Sequence, residues 1–139
     1  MRLFLYYVGK PRDEHANRLA EDYIRRSNRY SRIEMREIQP ARFDPWQKHA
    51  SAAKILLDPR GKTVDSAQFA QMIAKAELEA QDLVFLIGGA NGLPDVWRDR
   101  SGVLLSLSPL IFPHELARVV LAEQIYRAFT SLRGHPYPK

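Results

Sequence analysis

Three short stretches hold the groups that could do chemistry together. They are Leu57-Asp58-Pro59-Arg60-Gly61-Lys62, Ile87-Gly88-Gly89-Ala90-Asn91-Gly92 and Ser106-Leu107-Ser108-Pro109-Leu110-Ile111-Phe112-Pro113-His114. Each follows an apolar run that reads as a strand, and in open α/β sheets ligands sit outside the carboxyl ends of the strands. The glycines of the second stretch allow close backbone approach and positive φ. The third stretch offers apolar side chains and, Pro109 and Pro113 apart, free main-chain N–H and C=O groups. Such a lining suits a flat purine whose edge is read by main-chain groups. None of the three gathers enough Lys or Arg for a triphosphate, so a neutral or zwitterionic nucleoside fits better.

More familiar chemistries fail on spacing. Gly61-Lys62-Thr63 lacks the glycine that a P-loop needs five residues earlier, where Leu56 stands. His114-Glu115 is followed by Arg118 where a zinc protease has its second histidine. The four histidines are far apart in sequence, so no metal site is expected. Glycines 88, 89 and 92 do not follow the dinucleotide pattern, and no acidic ribose ligand follows a first strand, which disfavours a dinucleotide-dependent reductase. No nucleophile elbow is present. Ser106 and Ser108 have no evident base beside them and are expected to hydrogen-bond within their loop. With no cysteine, disulfides, zinc ribbons and thiol nucleophiles are excluded.

The elements that must position these loops follow from periodicity and turn chemistry. Strands are predicted at Leu3–Val8, Ile33–Ile38, Lys54–Leu57, Leu83–Ile87 and Val103–Leu107. Asp58-Pro59-Arg60-Gly61 reads as the turn that ends the third. Amphipathic helices are predicted from Asp13 to Asn28, with Leu19, Tyr23 and Ile24 inward, and from Asp65 or Ser66 to Ala80, with Phe69, Ile73 and Leu78 inward. Short helices are predicted near Trp46–Ala53 and Pro94–Arg98, and a long one from Pro113 to Leu132, with His114 as a capping residue. The alternation predicts one α/β domain over residues 1–139, with a mostly parallel sheet flanked by helices. In the last helix Leu116, Val119, Val120, Leu121, Ile125, Tyr126, Phe129 and Leu132 cover more than one stripe. That predicts burial on more than one side, against the sheet and a partner subunit in a homodimer, with a wholly intramolecular core helix as the alternative.

The formal net charge is +5. It is unevenly placed: residues 1–62 carry 14 Lys/Arg against 8 Asp/Glu, residues 63–139 carry 7 against 8. A basic amino-terminal half suggests a phosphate-rich partner such as a nucleic acid. The opening MRLFLYYVGK has too short an apolar run for a signal peptide or a membrane span, so a cytoplasmic protein without membrane attachment is expected.

Beyond these general rules, the sequence resembles the RlmH family of ribosomal RNA large-subunit pseudouridine methyltransferases, of the SPOUT class. The resemblance rests on Val8-Gly9-Lys10, Tyr23-Ile24-Arg25-Arg26, Leu57-Asp58-x-x-Gly61-Lys62, Phe85-Leu86-Ile87-Gly88-Gly89-x-x-Gly92-Leu93 and Ser106-Leu107-Ser108. Its most specific blocks are Phe112-Pro113-His114-x-Leu116-x-Arg118-Val119-x-Leu121-x-Glu123-Gln124-x-Tyr126-Arg127-Ala128 and the closing His135-Pro136-Tyr137. The resemblance spans nearly the whole chain. It implies a trefoil knot built after about Leu83, a rare exception to unknotted topology. It also implies a homodimer, and an S-adenosylmethionine site formed by Leu57, Gly88 and the run Leu107, Ser108, Pro109, Leu110, Ile111 and Phe112. The substrate it implies is a pseudouridine of 23S ribosomal RNA, methylated at N3 on the assembled 70S ribosome, with no metal.

His135 and Tyr137 become the catalytic candidates, the first as base or orienter, the second as a group that stacks on or bonds to the target base. Imidazole as a side-chain type exchanges protons near neutral pH. Lys10, Arg12, Arg25, Arg26, Arg29 and Arg133 are RNA-contact candidates, and Lys139 a further phosphate contact. The chain departs from the family at Pro138, where a second tail histidine is usual, and between about Arg42 and Leu57, which is shorter than usual. A non-catalytic ribosome-binding or assembly factor is the alternative from another class.

Overall fold

The computed structural model describes residues 1–138. Five parallel strands form one sheet: β1 (Arg2–Val8), β2 (Arg32–Ile38), β3 (Ala53–Thr63), β4 (Leu83–Ile87) and β5 (Val103–Ser106), in the order β2-β1-β4-β3-β5. Five helices connect and cover them: α1 (Glu14–Ser27), α2 (Pro45–Lys48), α3 (Ser66–Leu78), α4 (Asp95–Arg100) and α5 (His114–Leu132). The expected mostly parallel α/β sheet is therefore wholly parallel.

β1 and β4 read as continuous apolar runs because both faces of the sheet are covered there, whereas β2, at the edge, alternates. On one face Leu3, Leu5, Tyr7, Ile55, Phe85 and Ile87 pack beneath α1, α3 and α5. On the other, Phe4, Tyr6, Leu56, Val84 and Leu86 meet Leu93 and Trp97 around the short helix α4. Local signals set the helix starts. Asp13 caps α1 by accepting from the Ala16 N–H. Asp65 and Gln68 form a reciprocal capping box at α3.

Four expectations need correction. First, β3 does not end at Leu57. Leu57 and Lys62 both pair with Leu105 of β5, so residues 58–61 bulge out of a strand that resumes and runs to Thr63. The turn signal is real, but the neighbouring strand recaptures the chain after it. Gly61 permits this: a Cβ there would lie 2.5 Å from the Leu104 carbonyl carbon. Second, Leu19 and Leu78 are not inward; they are 45% and 88% exposed. Ala20 and Ile24, then Phe69, Ile73 and Ala76, take the inner stripes instead. Third, most of the wide apolar surface of α5 is covered within the chain itself, while Leu116 and Leu132 stay 45% and 37% exposed. The helix lies between α1 and α3, and Val119, Leu121, Ile125, Tyr126 and Phe129 are buried within the single chain. Fourth, His114 does not cap α5; Pro113 occupies that position with no side-chain bond, and His114 opens the helix.

Candidate functional site

The three loops named from sequence converge. They enclose a cavity of about 360 Å³ at the carboxyl ends of β3, β4 and β5, within the range of about 300–1,000 Å³ typical of small-molecule sites. Leu57, Asp58 and Pro59 form one wall, Ile87 to Ala90 with Gly92 and Leu93 a second, and Leu105 to Ser108 with Leu110, Ile111 and Phe112 a third. His114, Ala117 and Arg98 complete it. Of the residues expected to hold a cofactor, Leu57, Gly88, Leu107, Ser108, Leu110, Ile111 and Phe112 line the cavity; Pro109 does not.

Backbone sterics explain the glycines. A Cβ at Gly88 would come within 2.7 Å of the Gly92 backbone, and one at Gly89 within 2.8 Å of the Val8 carbonyl oxygen. Gly92 closes the loop with positive φ, and its N–H donates to the Gly89 carbonyl at 3.0 Å. The serines shape the third loop, as expected: Ser106 Oγ donates to the Ser108 carbonyl at 3.0 Å, and Ser108 Oγ accepts from the Leu110 N–H at 2.9 Å. Leu110 and Ile111 stand 73% and 87% exposed at the rim.

The charged part of the wall was not foreseen. Asp58 is 5% exposed. Its Oδ2 accepts from Arg98 Nε at 2.6 Å, and its Oδ1 from the Arg60 N–H at 2.8 Å. Burial alone would raise its pKa, but the hydrogen bonds from Arg60 and Arg98 outweigh it and hold the carboxyl at about 2. The carboxylate is thereby matched by cations within the wall. Asp58 and Arg98 are 40 residues apart, and only the Leu-Asp-x-x-Gly-Lys block pointed to the first of them.

A second network braces the start of α5. Glu115 accepts from the Arg12 and Asp13 N–H groups and from Asn17 Nδ2, which locks α5 to the start of α1. Arg118 is buried, with its guanidinium 3.5 Å from the Tyr7 ring centroid and a bond to the Asn17 side-chain oxygen. These contacts fix the helix turn that presents His114 and Ala117 to the cavity.

The tail sits elsewhere. Tyr137 Oη donates to Glu123 Oε2 at 2.7 Å, and its ring packs edge-on against Tyr126 at 4.6 Å. Burial, with the Tyr23 and Glu123 hydrogen bonds, pushes the phenol pKa up, so it stays a neutral donor. His135 Nδ1 accepts from the Tyr137 N–H at 3.1 Å. Neither residue lines the cavity. Glu123 lies six residues beyond Ala117, about 9 Å along α5.

The cationic candidates divide. Arg26 lies against the rings of both Tyr23 and Tyr126, at 4.8 and 4.9 Å, and pairs with Asp22. Arg25 pairs with Asp22, and Arg133 pairs with Glu77 at 2.5 Å. Arg29 is exposed beside Tyr30, and Arg12 is exposed with its main chain held by Glu115. Lys10 is exposed just past the end of β1. Lys139 lies outside the described residues. Among the described residues no group of three or more His, Asp or Glu could hold a metal ion, and no helix is long and apolar enough to cross a membrane.

Solved structures share this fold. A probable methylase family protein from Haemophilus influenzae matches with a TM-score of 0.60 at 9% identity, over 99% of this chain and 70% of that one. The SpoU methyltransferase AviRb from Streptomyces viridochromogenes, solved in complex with the cofactor AdoMet, matches at 0.53 and 13% identity over 94% and 61%. A family model described as "Predicted SPOUT methyltransferase" matches residues 1–138. The chain is thus a member of the SPOUT methyltransferases, as its motifs and cavity indicate.

The relatives by sequence narrow this. The chain is 61% identical over 137 residues to the ribosomal RNA large subunit methyltransferase H of Solibacter usitatus, covering 99% of each. It is 37% identical over 137 residues to that of Thermus thermophilus, covering 99% and 98%. Within the SPOUT class, the chain belongs to the ribosomal RNA large subunit methyltransferase H family.

Proposed function

We propose that residues 1–139 act as one SPOUT domain, a cytoplasmic homodimer, that methylates N3 of a pseudouridine in 23S ribosomal RNA on the assembled 70S ribosome, using S-adenosylmethionine. The observation that carries this reading is the cavity built by three strand-end loops in a chain 61% identical to a large-subunit ribosomal RNA methyltransferase.

The cavity fits the cofactor on its own terms. Its wall is mostly apolar, its glycines admit main chain to close range, and its buried carboxylate is already neutralised by arginines. A zwitterionic nucleoside is accommodated there without a phosphate site. Leu57, Gly88 and Leu107 to Phe112 would hold it, Pro109 by setting the loop rather than by lining the cavity. When bound, S-adenosylmethionine supplies an electrophilic methyl group on a sulfonium.

The chain's own residues must orient the target base and manage one proton. The N3 imide is protonated at neutral pH and has to lose that proton before or during attack. A nearby cation favours the anion, and a general base can accept the proton. Holding the nitrogen in line with the methyl supplies much of the remaining acceleration. His135 is the base candidate, and Tyr137 a candidate to orient the pyrimidine. The seat of Tyr137 against Glu123, Tyr126 and Tyr23, with His135 bonded to the Tyr137 N–H, is away from their own cavity. They reach a cavity either by leaving that seat or from the second subunit of the dimer.

The test is methyl transfer from labelled S-adenosylmethionine to unmodified 70S ribosomes, 50S subunits and free ribosomal RNA, followed by nucleoside mass spectrometry. The expected product is 3-methylpseudouridine, strongest on 70S particles. Cofactor binding without transfer to any of the three would refute the ribosomal assignment. Ribosome binding with no cofactor binding in calorimetry would favour the assembly-factor reading.

A further inference from the structure

A second concavity opens at the same end of the sheet as the cofactor cavity. It has a volume of about 410 Å³ and lies at the carboxyl ends of β1 and β2, lined by Lys10, Arg36, Glu37, Gln39, Arg42 and Phe43 with Ile38 beneath. The strand order puts β1 and β2 beside β4, whose loop walls the cofactor cavity. With strands about 4.8 Å apart, the two concavities are separated by roughly two strand spacings, ~10 Å. Val8, at the end of β1, touches both sides of this boundary: its carbonyl closes on Gly89, and the next residues lead to Lys10.

The cations here are free in a way those of α1 are not. Among the described residues, neither the Lys10 nor the Arg42 side chain forms an ion pair or a hydrogen bond, and both residues are exposed. Arg42 is placed by a tight turn, its N–H donating to the Gln39 carbonyl at 2.9 Å. Arg36 is held differently. Its guanidinium lies 5.5 Å from the Tyr6 ring centroid and 5.3 Å from that of Phe43, and its pair with Glu34 is a loose 4.0 Å. The side chain is half exposed. An arginine propped on two rings has already lost much of its rotamer freedom, so little more is lost when it binds. Its outer plane and spare N–H donors suit a stacked base or a phosphate.

We infer that the groove formed by Lys10, Arg36, Gln39, Arg42 and Phe43 receives single-stranded RNA flanking the target nucleotide, with Lys10 and Arg42 on phosphates and Arg36 as the stacking platform. This rests on the RNA-methyltransferase reading of the cofactor cavity. It accounts for where the basic excess of residues 1–62 is put to use. Among the described residues the only acidic side chain lining the groove is Glu37, which leaves three cations against one anion. An acidic protein partner is the lesser fit, because Arg36, held against the Tyr6 and Phe43 rings, presents a guanidinium plane suited to stacking on a base.

The experiment measures binding of a fluorescein-labelled uridine-rich single-stranded RNA across a salt series, together with methyl-transfer kinetics on unmodified ribosomes. The variants are Lys10→Gln, Arg42→Gln and the double; Arg18→Gln with Lys75→Gln removes the same charge from the outer faces of α1 and α3. Two lost phosphate contacts on a single strand lower the salt slope by about 1.4. The double variant is expected to show that drop, with a severalfold rise in KM for the ribosomal substrate and kcat held, while the control pair shows neither. Arg36→Lys, which keeps charge but loses the plane, is expected to weaken binding with the slope unchanged. An unaltered slope in the double variant, or an equal drop in the control pair, overturns the inference. So does weakened association with ribosomes while naked RNA binds as before, which would mark a protein-docking surface. The binding arm requires no methyl transfer, so a wild-type protein that binds RNA through this groove but transfers no methyl would refute the methyltransferase reading alone.

Discussion

Replacing Asp58 by Asn tests whether the charged wall of the cavity is as tightly balanced as its geometry indicates. The carboxyl titrates at about 2 instead of 3.8 because Arg60 and Arg98 bond to it in a buried setting. The folded protein therefore keeps Asp58 ionised to lower pH than the unfolded chain does. Its contribution is fully present above the unfolded value and is lost as pH falls through the folded one. At pH 7 the difference corresponds to about 2 kcal/mol; at pH 3, where the folded group is still mostly ionised and the unfolded one mostly is not, about 1 kcal/mol remains. Asn keeps the shape and can still accept from the Arg60 N–H, but it loses the charge. Urea unfolding at pH 7 is expected to show a midpoint lower by about 1 M, taking a slope near 2 kcal/mol per M. The gap between wild type and Asp58→Asn should then shrink by about 1 kcal/mol at pH 3. A gap that stays constant between the two pH values would refute the claim that an ionised, arginine-bound Asp58 holds the loop. Affinity for S-adenosylmethionine should fall with the same variant, since Leu57, Asp58 and Pro59 form one wall.

Gly89→Ala places a methyl 2.8 Å from the Val8 carbonyl oxygen, so that main chain must shift to admit it. It should cost about 1–3 kcal/mol and abolish measurable cofactor binding in calorimetry, and unchanged affinity would mean the loop does not face the ligand. Phe129→Ala removes a wholly buried ring stacked at 6.1 Å on Tyr30; a loss of about 3–5 kcal/mol in thermal or urea unfolding is expected. Tyr137→Phe deletes the bond to Glu123 and should speed tryptic cleavage after Arg133 while costing only about 1 kcal/mol in global stability. An unchanged cleavage rate would show that the hydroxyl does not seat the tail. His135→Ala should lower turnover at saturating substrate by at least about tenfold, as removal of a general base does, with cofactor affinity unaltered; intact turnover would remove His135 from the base role.

Much of this molecule is local and was legible as such. The central strands announce themselves because burial on both faces demands unbroken apolar runs, most plainly at Leu83–Ile87, and edge strand β2 shows instead as alternation. The starts of α1 and α3 are written in Asp13, Asp65 and Gln68, whose side chains satisfy main-chain N–H groups within three residues. The convergence of three distant loops was also foreseeable, because parallel strands joined through helices all end on one edge of the sheet.

What the sequence could not decide involves groups that meet only when that sheet has assembled. The β3 bulge depends on Leu105 pairing with both Leu57 and Lys62, a choice made by the neighbouring strand. Periodicity put Leu19 and Leu78 inside, but the neighbouring elements use the other stripe. The breadth of apolar residues on α5 suggested a partner subunit; the chain's own α1 and α3 cover most of it and leave Leu116 and Leu132 exposed. Asp58 found Arg98, and Tyr137 found Glu123 and Tyr23, across stretches of sequence with no local pattern to link them. Sequence alone determined which elements form and which edge of the sheet carries the chemistry, because those depend on near neighbours and a two-sided core. Only the tertiary structure decided which charges neutralise one another, where the tail rests and which arginines stay free, because Coulomb and hydrogen-bond energies depend on distances of a few ångströms between residues far apart in the chain.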